Sequence, residues 1–450
     1  MSLNENQISD ISLPPLAEMA LDYARQQGAG QAVVTVSQGE HKALRFRHGD
    51  IETLTQNHRQ HLAITLFYGQ RSGSVSTTQL SPGAVKEAVA AASTLARYGD
   101  EDRYAGLPEP HQLATRFDDL ALFESSELSA EAARNLALRT EQAIDETAPA
   151  VCASEGAEII SWRGTFLLAN SLGFCAGYPS SSHTLWGHAL AKRGEQRQQG
   201  FWQSTQRSPL KLTSPEEIGR TAAEKAVRQL DAQPLSTRRC PVLFEAPVAH
   251  SLVHHLVSAL SGGQLSRNSS FLGRCQGQVV TASHLSLRED PYIPGALASG
   301  AFDGEGIAGS VRDVLHDGVV EGYFLGSYSA RRLGLTSTGN AGGAWNLQLR
   351  STQTQATDSL SSLIRQMQRG LLVTTLLGSG VNPLTGDYSQ GVAGFWVDNG
   401  EIAYPVAGIT IAGNLKTMLR EVVALGADSH IQGNLRCGSL LLNEMQIAGA

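Results

Sequence analysis

Twice before residue 232 the spacing of apolar side chains switches from a helical period to a strand-like one and back. Leu16, Met19, Ala20 and Tyr23 share one helical face over residues 14–28, and Gly28 stops the run. Strand-like runs follow at 32–37, 42–52 and 61–69, with Gly39 and His48-Gly49-Asp50 read as the turns between them and 75–78 as an extension. Ser81-Pro82 opens a second helix, because a serine hydroxyl can accept from the free backbone donors and proline loses no hydrogen bond at the first helical position. Val85, Ala88, Val89 and Leu95 carry it to about Arg97. After a Gly-, Asp- and Pro-rich connector at 98–118, the theme recurs: a helix at 129–145, strands at 151–161, 165–169, 174–178 and 184–193, and a helix from Thr213-Ser214-Pro215-Glu216-Glu217 to about Leu230. The early carboxylates of that last helix suit its positive end. No stretch repeats closely enough to read as a sequence duplication.

Ala232-Gln233-Pro234-Leu235-Ser236 reads as the main boundary. Beyond it lie a strand over 240–245, a helix over 247–260, and then mostly short strands with glycine turns. Two hairpins stand out, 311–327 around Asp317-Gly318 and 393–406 around Asn399-Gly400, both dipeptides suited to turns that need positive φ. One amphipathic helix is expected over 359–370. The fold class is therefore α+β. The N-terminal half consists of helix/β-meander/helix units, and the C-terminal half is β-dominated, with barrel- or sandwich-like antiparallel strands and a few helices. At 450 residues the chain exceeds one ordinary core. The expected domains are 1–232, with a candidate subdivision near 100–120, and 238–450.

With 41% apolar and 17% charged residues the chain is globular in type, and its net charge of −7 argues against direct nucleic-acid binding. Arg238-Arg239 and Arg331-Arg332 are the only tight basic pairs that stand out, and such pairs usually face solvent or a carboxylate. Cys152, Cys175, Cys240, Cys275 and Cys437 are odd in number and form no CxxC pair, a pattern of free thiols in a reducing cytoplasm. Residues Met1 to Asn6 lack the basic and apolar regions of a signal peptide, and no apolar run is long enough to span a membrane.

The helix over 247–260 is where chemistry is most legible. Val248, Leu252, Leu256 and Leu260 recur every four residues, with Val253 and Val257 beside them, enough to seat the helix on a core. His250, His254 and His255 lie off that stripe. His250 and His254 are one turn apart and could share a metal, as in HExxH enzymes, where a glutamate after the first histidine is the general base. That position is Ser251, and no carboxylate occurs from Ala246 to Arg288. The competing reading is three polar or interface histidines on a packed helix.

Other motifs are weaker. Ser269 and Ser270 follow Gly262-Gly263 without a G-x-S-x-G elbow, and neither a Walker A motif nor a G-x-G-x-x-G after a strand is present. Asp303-Gly304-Glu305-Gly306 lacks the alternating oxygen ligands of a calcium loop and reads as a turn.

Several segments carry a family resemblance: Ser261-Gly262-Gly263, RNSSFL from Arg267, SYSARRLG from Ser327, STGNAGG from Ser337, TGDYS from Thr385, AGFWVDN from Ala393, the Gly400-Glu401-Ile402 and Tyr404-Pro405-Val406 triplets, and ITIAGNL from Ile409. Asn170-Ser171-Leu172-Gly173 and the helix after Ser81-Pro82 agree more loosely. Together they resemble the TldD/PmbA family, and within it the PmbA (TldE) branch. The resemblance covers nearly the whole chain and is most specific from about residue 255 onward.

The resemblance implies a cytoplasmic TldD/TldE peptidase that degrades unfolded peptides and processes microcin-type precursors. It implies that the TldD branch holds a metal through an HExxxH motif and a later cysteine, while the TldE branch is the partner lacking a working site. His250 and His255 match the two histidine positions, Ser251 replaces the glutamate, and Cys437 in Cys437-Gly438-Ser439 matches the late ligand. Positions five apart on an ideal helix point roughly 140° from each other, so His250 and His255 share a metal only if the helix breaks.

The expectation is thus a TldE-type subunit with no catalytic residue of its own and no expected cofactor. Were a metal held, it would be a zinc-type divalent ion on His250, His255 and Cys437. The expected partners are a TldD-like subunit and extended or unfolded peptides, with a homodimer compatible when isolated, and neither nucleic acid nor membrane. Two alternatives stand beside it: a self-sufficient metallopeptidase using His250, His255 and Cys437, and a non-enzymatic regulatory binding protein of the gyrase-modulator type.

Overall fold

A computed structural model describes residues 12–378 and 380–449. The N-terminal segment judged not to be a signal peptide lies outside the described residues. In the N-terminal half the order is α1 (Leu13–Gln26), β1 (Gln31–Arg47), β2 (Asp50–Tyr68), β3 (Arg71–Thr77), α2 (Pro82–Tyr98), α3 (Ala130–Thr147), β4 (Cys152–Asn170), β5 (Cys175–Arg193), β6 (Gln196–Gln206) and α4 (Pro215–Arg228). The capping signals act as read. The Ser81, Ser129 and Ser214 hydroxyls each accept from the backbone N–H three residues on, and Pro82 and Pro215 take the first helical positions.

The two helix/meander/helix units merge into one antiparallel sheet of order β3-β2-β1-β4-β5-β6, joined through β1 and β4. Two expectations fail here. Gly39 is not a turn, since β1 runs through it, and the runs at 151–161 with 165–169 and at 174–178 with 184–193 are each one long strand. Gly39 stands opposite Gly164, and a Cβ on Gly39 would come within 2.5 Å of the Trp162 ring. The glycines make room for an indole lying across the strand pair, which is a packing demand rather than a turn demand. β6 was missed altogether. Its face toward α4 carries Gly200, whose missing Cβ lets the backbone of Ala222 and Ala226 approach, so it shows little apolar alternation.

Beyond the connector, the chain continues with β7 (Arg238–Phe244), α5 (Ala246–Ala259), α6 (Gly262–Ser266), β8 (Leu285–Asp290), β9 (Arg312–His316), β10 (Val319–Val320) and α7 (Ser327–Leu333). It ends with β11 (Asn346–Ser351), α8 (Leu360–Met367), β12 (Gly370–Leu377), β13 (Asp387–Asp398), β14 (Glu401–Asn414), α9 (Leu415–Arg420), β15 (Val422–Leu425), β16 (His430–Gln432), β17 (Leu435–Cys437) and β18 (Leu440–Ala448). One sheet runs β14-β13-β12-β7-β18-β15, and pairing of β14 with β18 closes five of these strands into a barrel. A second sheet runs β10-β9-β8-β11-β17-β16. The mixed α+β class with a barrel-bearing C-terminal half is as the sequence indicated.

Asn399-Gly400 and Asp317-Gly318 both adopt positive φ at their hairpin turns. The first hairpin is longer than expected. The second is cut short, because β10 is only two residues and the chain then runs irregularly to α7, which starts at Ser327. α7 uses one of the basic pairs structurally: Arg331 Nη1 donates to the Tyr104 and Gly106 carbonyls at 3.1 and 3.0 Å, tying the connector to the C-terminal half. All five cysteines are free, and no described helix is long and apolar enough to cross a membrane.

Candidate functional site

α5 enters the core with its first N–H, that of Ala246, held from far along the chain. The Ser439 hydroxyl accepts from Ala246 N at 3.0 Å and donates to the Asp428 carboxylate at 2.6 Å. Ala249, Leu252, Val253, Leu256 and Ala259 are buried against the barrel strand β12 and the β16–β17 pair. The helix is unbroken, so the histidines diverge as the helical period requires.

His250 is not a surface residue; it is 2% exposed. Its Nε2 faces two carbonyl oxygens, His430 O at 3.1 Å and Leu435 O at 3.2 Å. Because both neighbours are acceptors, Nε2 carries the hydrogen and donates to them. Burial holds its pKa below the ordinary histidine value. His254 is exposed at the rim of a cleft. His255 turns to another side of the helix, its ring edge-on to the buried Tyr388 of β13 with centroids 6.3 Å apart. Ser251, at the glutamate position, donates its hydroxyl to Val248 O at 2.8 Å.

Cys437 lies on β17, directly across from His430 of β16 in the strand register. It is fully buried, its thiol donates to Gly438 O, and burial, with the Asp428 carboxylate adding to it, pushes its pKa far above the ordinary thiol range. The fold thus brings His250 against the strand pair that carries Cys437 and sends His255 elsewhere. Among the described residues no group of three or more His, Cys, Asp and Glu side chains is placed to hold a metal. As arranged, His250 Nε2 is taken up by two carbonyls and Cys437 is held as a thiol, while His250 Nδ1 is buried with no hydrogen-bond partner.

Two residues of this neighbourhood escaped the sequence reading. His430 packs edge-on to His250, with centroids 5.6 Å apart, and lies 5.1 Å from the Trp202 ring. Burial, helped by His250 and Lys225, lowers its pKa to about 4. Glu245 sits one residue before the carboxylate-free stretch, and its carboxylate pairs with Lys225 at 3.3 Å. No spacing in the sequence connects these residues, since 180 positions separate His250 from His430.

These side chains line a cleft of about 400 Å³ between the two halves of the chain. β6 and α4 form one wall, and α5, β12, β13 and β16 form the other. Lys225 sits over the Trp202 ring at 4.9 Å and Arg228 over Phe395 at 4.7 Å, so the cations overlie aromatic floors.

Residues 32–96, 123–230 and 237–449 match, in order, the family models described as PmbA/TldA metallopeptidase domain 1, central domain and C-terminal domain. The chain is 40% identical over 430 residues to the metalloprotease PmbA of Escherichia coli O157:H7, spanning 96% of this chain and 94% of that one. It is 38% identical to the metalloprotease PmbA homolog of Haemophilus influenzae, with the same coverage of 96% and 94%. A crystal structure from Bacteroides thetaiotaomicron, described as that of a candidate modulator of DNA gyrase, superposes with a TM-score of 0.89 at 25% identity, covering 99% of this chain and all of that one. TldE from Thermococcus kodakarensis shares the fold, with a TM-score of 0.83 at 19% identity and coverage of 96% and 100%.

Proposed function

The chain belongs to the PmbA/TldD metallopeptidase family, and from that membership we propose that it is the TldE-type subunit of a TldD/TldE peptidase. It does not hydrolyse peptides alone. It completes a chamber with a TldD-type partner and holds extended or unfolded peptides, microcin-type precursors among them, in the cytoplasm.

One observation carries this reading. At the position of the general base, Ser251 spends its hydroxyl on Val248 O, directly after a His250 whose Nε2–H is already committed to two carbonyls. A carboxylate that could take a proton from a polarised water is absent at that position. The same facts weigh against the self-sufficient metallopeptidase. Free cysteines agree with a reducing cytoplasm, and the net charge of −7 gives no basic footprint for direct nucleic-acid binding.

The test is cleavage of an unfolded peptide by the purified chain alone, by a TldD-type subunit alone, and by their mixture. Cleavage confined to samples containing the TldD-type subunit, with co-elution of the two chains, is expected. Chelator-sensitive cleavage by this chain alone sinks the proposal. A gyrase-modulator reading has its support in the description of a structural relative; a pull-down that returns gyrase and no TldD-like chain would favour it.

A further inference from the structure

β2 is a strand of two halves. Residues 62–67 are flanked by β1 on one edge and β3 on the other, and Leu62, Ile64 and Leu66 lie in a core shared with α1 and α2. Residues 50–59 have no partner but β1, so their outer edge is open among the described residues. Each of them is solvent-exposed, whichever face of the strand it points from. Their ladder to β1 is regular from Thr53 onward.

An open edge offers N–H and C=O groups at the spacing of another strand, and folds usually guard it. Three strands that end sheets here are short: β3 has seven residues, β10 two and β16 three. The open edge of β2 spans roughly 34 Å at about 3.4 Å per residue and contains no Lys and no Pro. Ile51 and Leu54 stand 53% and 59% exposed on it. They lie opposite Phe46 and Leu44, so both project from one face.

The two ends of this segment carry unneutralised charge of opposite sign. The Asp50 side chain is 91% exposed, with Arg134 no closer than 3.9 Å. Arg59 has no carboxylate partner among the described residues. Asp50 stands opposite Arg47 and Arg59 opposite Gly39, two positions on one face of β1, so both charges project from the same side of the sheet. Two such edges running antiparallel set each Asp50 toward the other's Arg59, whereas parallel edges set like charge against like.

We propose that residues 50–59 pair antiparallel with the same segment of a second copy of this chain, about a two-fold axis near Leu54, joining two N-terminal sheets into one. The contact is complementary to itself, as a two-fold interface must be. It gives the outward N–H and C=O groups partners and brings the two Leu54 side chains together across the axis. The inference is independent of the peptide-holding reading and states how the chain associates when no other subunit is present.

The experiment is sedimentation velocity of the full chain over about 1–100 µM. The parent is expected to pass to twice the mass of one chain. Leu54→Lys sets like charges at the axis and should raise the dissociation constant at least about tenfold. Leu54 is exposed, so the monomer should keep its fold by circular dichroism. Asp50→Arg and Arg59→Asp should each weaken the dimer severalfold, and the two together should restore it. Hydrogen exchange across 50–59 should slow as concentration rises and stay fast in Leu54→Lys. A parent that stays monomeric, a Leu54→Lys dimer as tight as the parent's, or a charge reversal that restores nothing would each overturn the proposal. Protection of 50–59 that appears only on adding a TldD-type subunit would overturn it too and give the edge to that partner.

Discussion

His250 and His430 meet edge-on across 180 residues of chain, and Nε2 of the first donates to the main-chain carbonyl of the second at 3.1 Å. The contact fastens α5 to the edge strand β16 and so fixes one wall of the cleft. It makes His250 a structural donor first. His250→Ala would remove two hydrogen bonds and leave the carbonyls of His430 and Leu435 without that donor in a buried setting. We expect a loss of about 2–4 kcal/mol in urea unfolding. The zinc content of purified protein, measured by elemental analysis, should be the same before and after the substitution. A fall in bound metal would reassign the residue as a ligand.

Stability should depend on pH through His430. Its folded pKa is about 4, below the ordinary 6.5, so the folded state holds it neutral. Between those values the unfolded chain binds more protons, and stability therefore falls as pH drops from about 6.5 toward 4. Allowing for partial solvent access, its share is on the order of 1–2 kcal/mol. Asp303 works with the opposite sign. Burial raises its pKa to about 6, so its contribution is present at low pH and is lost as pH rises through 6. The two overlap, and the clean measurement is a difference: unfolding free energy at pH 7.5 minus that at pH 4.5 should be smaller in His430→Gln than in the parent chain. An unchanged difference would contradict the assignment.

The motif STGNAGG owes its asparagine to a buried carboxylate. Glu289 is fully buried, and its oxygens accept from Arg312 Nε at 2.9 Å, Asn340 Nδ2 at 2.7 Å and Trp345 N at 2.9 Å. Glu289→Ala strands the guanidinium and should cost about 3–5 kcal/mol. Glu289→Gln, which keeps the shape, should cost less. Thermal melts of the two variants order these expectations; an Ala variant as stable as the parent would refute them.

Gly39 and Gly164 test the packing account of the N-terminal sheet. A Cβ on Gly39 meets Trp162 at 2.5 Å and the Arg163 carbonyl at 2.7 Å. Gly39→Ala should therefore cost about 1–3 kcal/mol. Adding Trp162→Ala should relieve the indole clash but not the backbone one, so the double variant recovers only part of the loss. Full additivity of the two substitutions would mean that the indole does not set the glycine.

The sequence was most informative where local chemistry decides structure. Ser81-Pro82, Ser214-Pro215 and Asn399-Gly400 act within a few residues, and each lies where spacing and capping place it. It was misleading where a distant neighbour decides. Gly39 looks like a turn because its reason, Trp162, belongs to a strand over a hundred residues away. The candidate site divides in the same way. α5 and its missing glutamate are local and legible, but His430 sits on a three-residue strand, and its role exists only because β16 packs on α5. The burial of His250 was hidden for that reason too: its side of the helix is closed by carbonyl groups, which leave no hydrophobic trace in the sequence.

Restoring the glutamate should not restore a peptidase. In Ser251→Glu the carboxylate returns to its position after the first histidine, and a purely sequence-level argument expects catalysis to follow. The geometry argues otherwise. His250 Nε2 would still donate to two carbonyls, His255 would still face Tyr388, and the Cys437 thiol would stay buried and protonated. A general base has nothing to act on without a polarised water beside it. The half-buried position also places the new charge near the enclosed Tyr388 side chain, so some loss of stability is expected. With zinc added and folding confirmed by near-ultraviolet circular dichroism, the variant should cleave unfolded peptide no faster than the parent. Chelator-sensitive cleavage appearing in Ser251→Glu would show that one residue alone separates this chain from an active metallopeptidase.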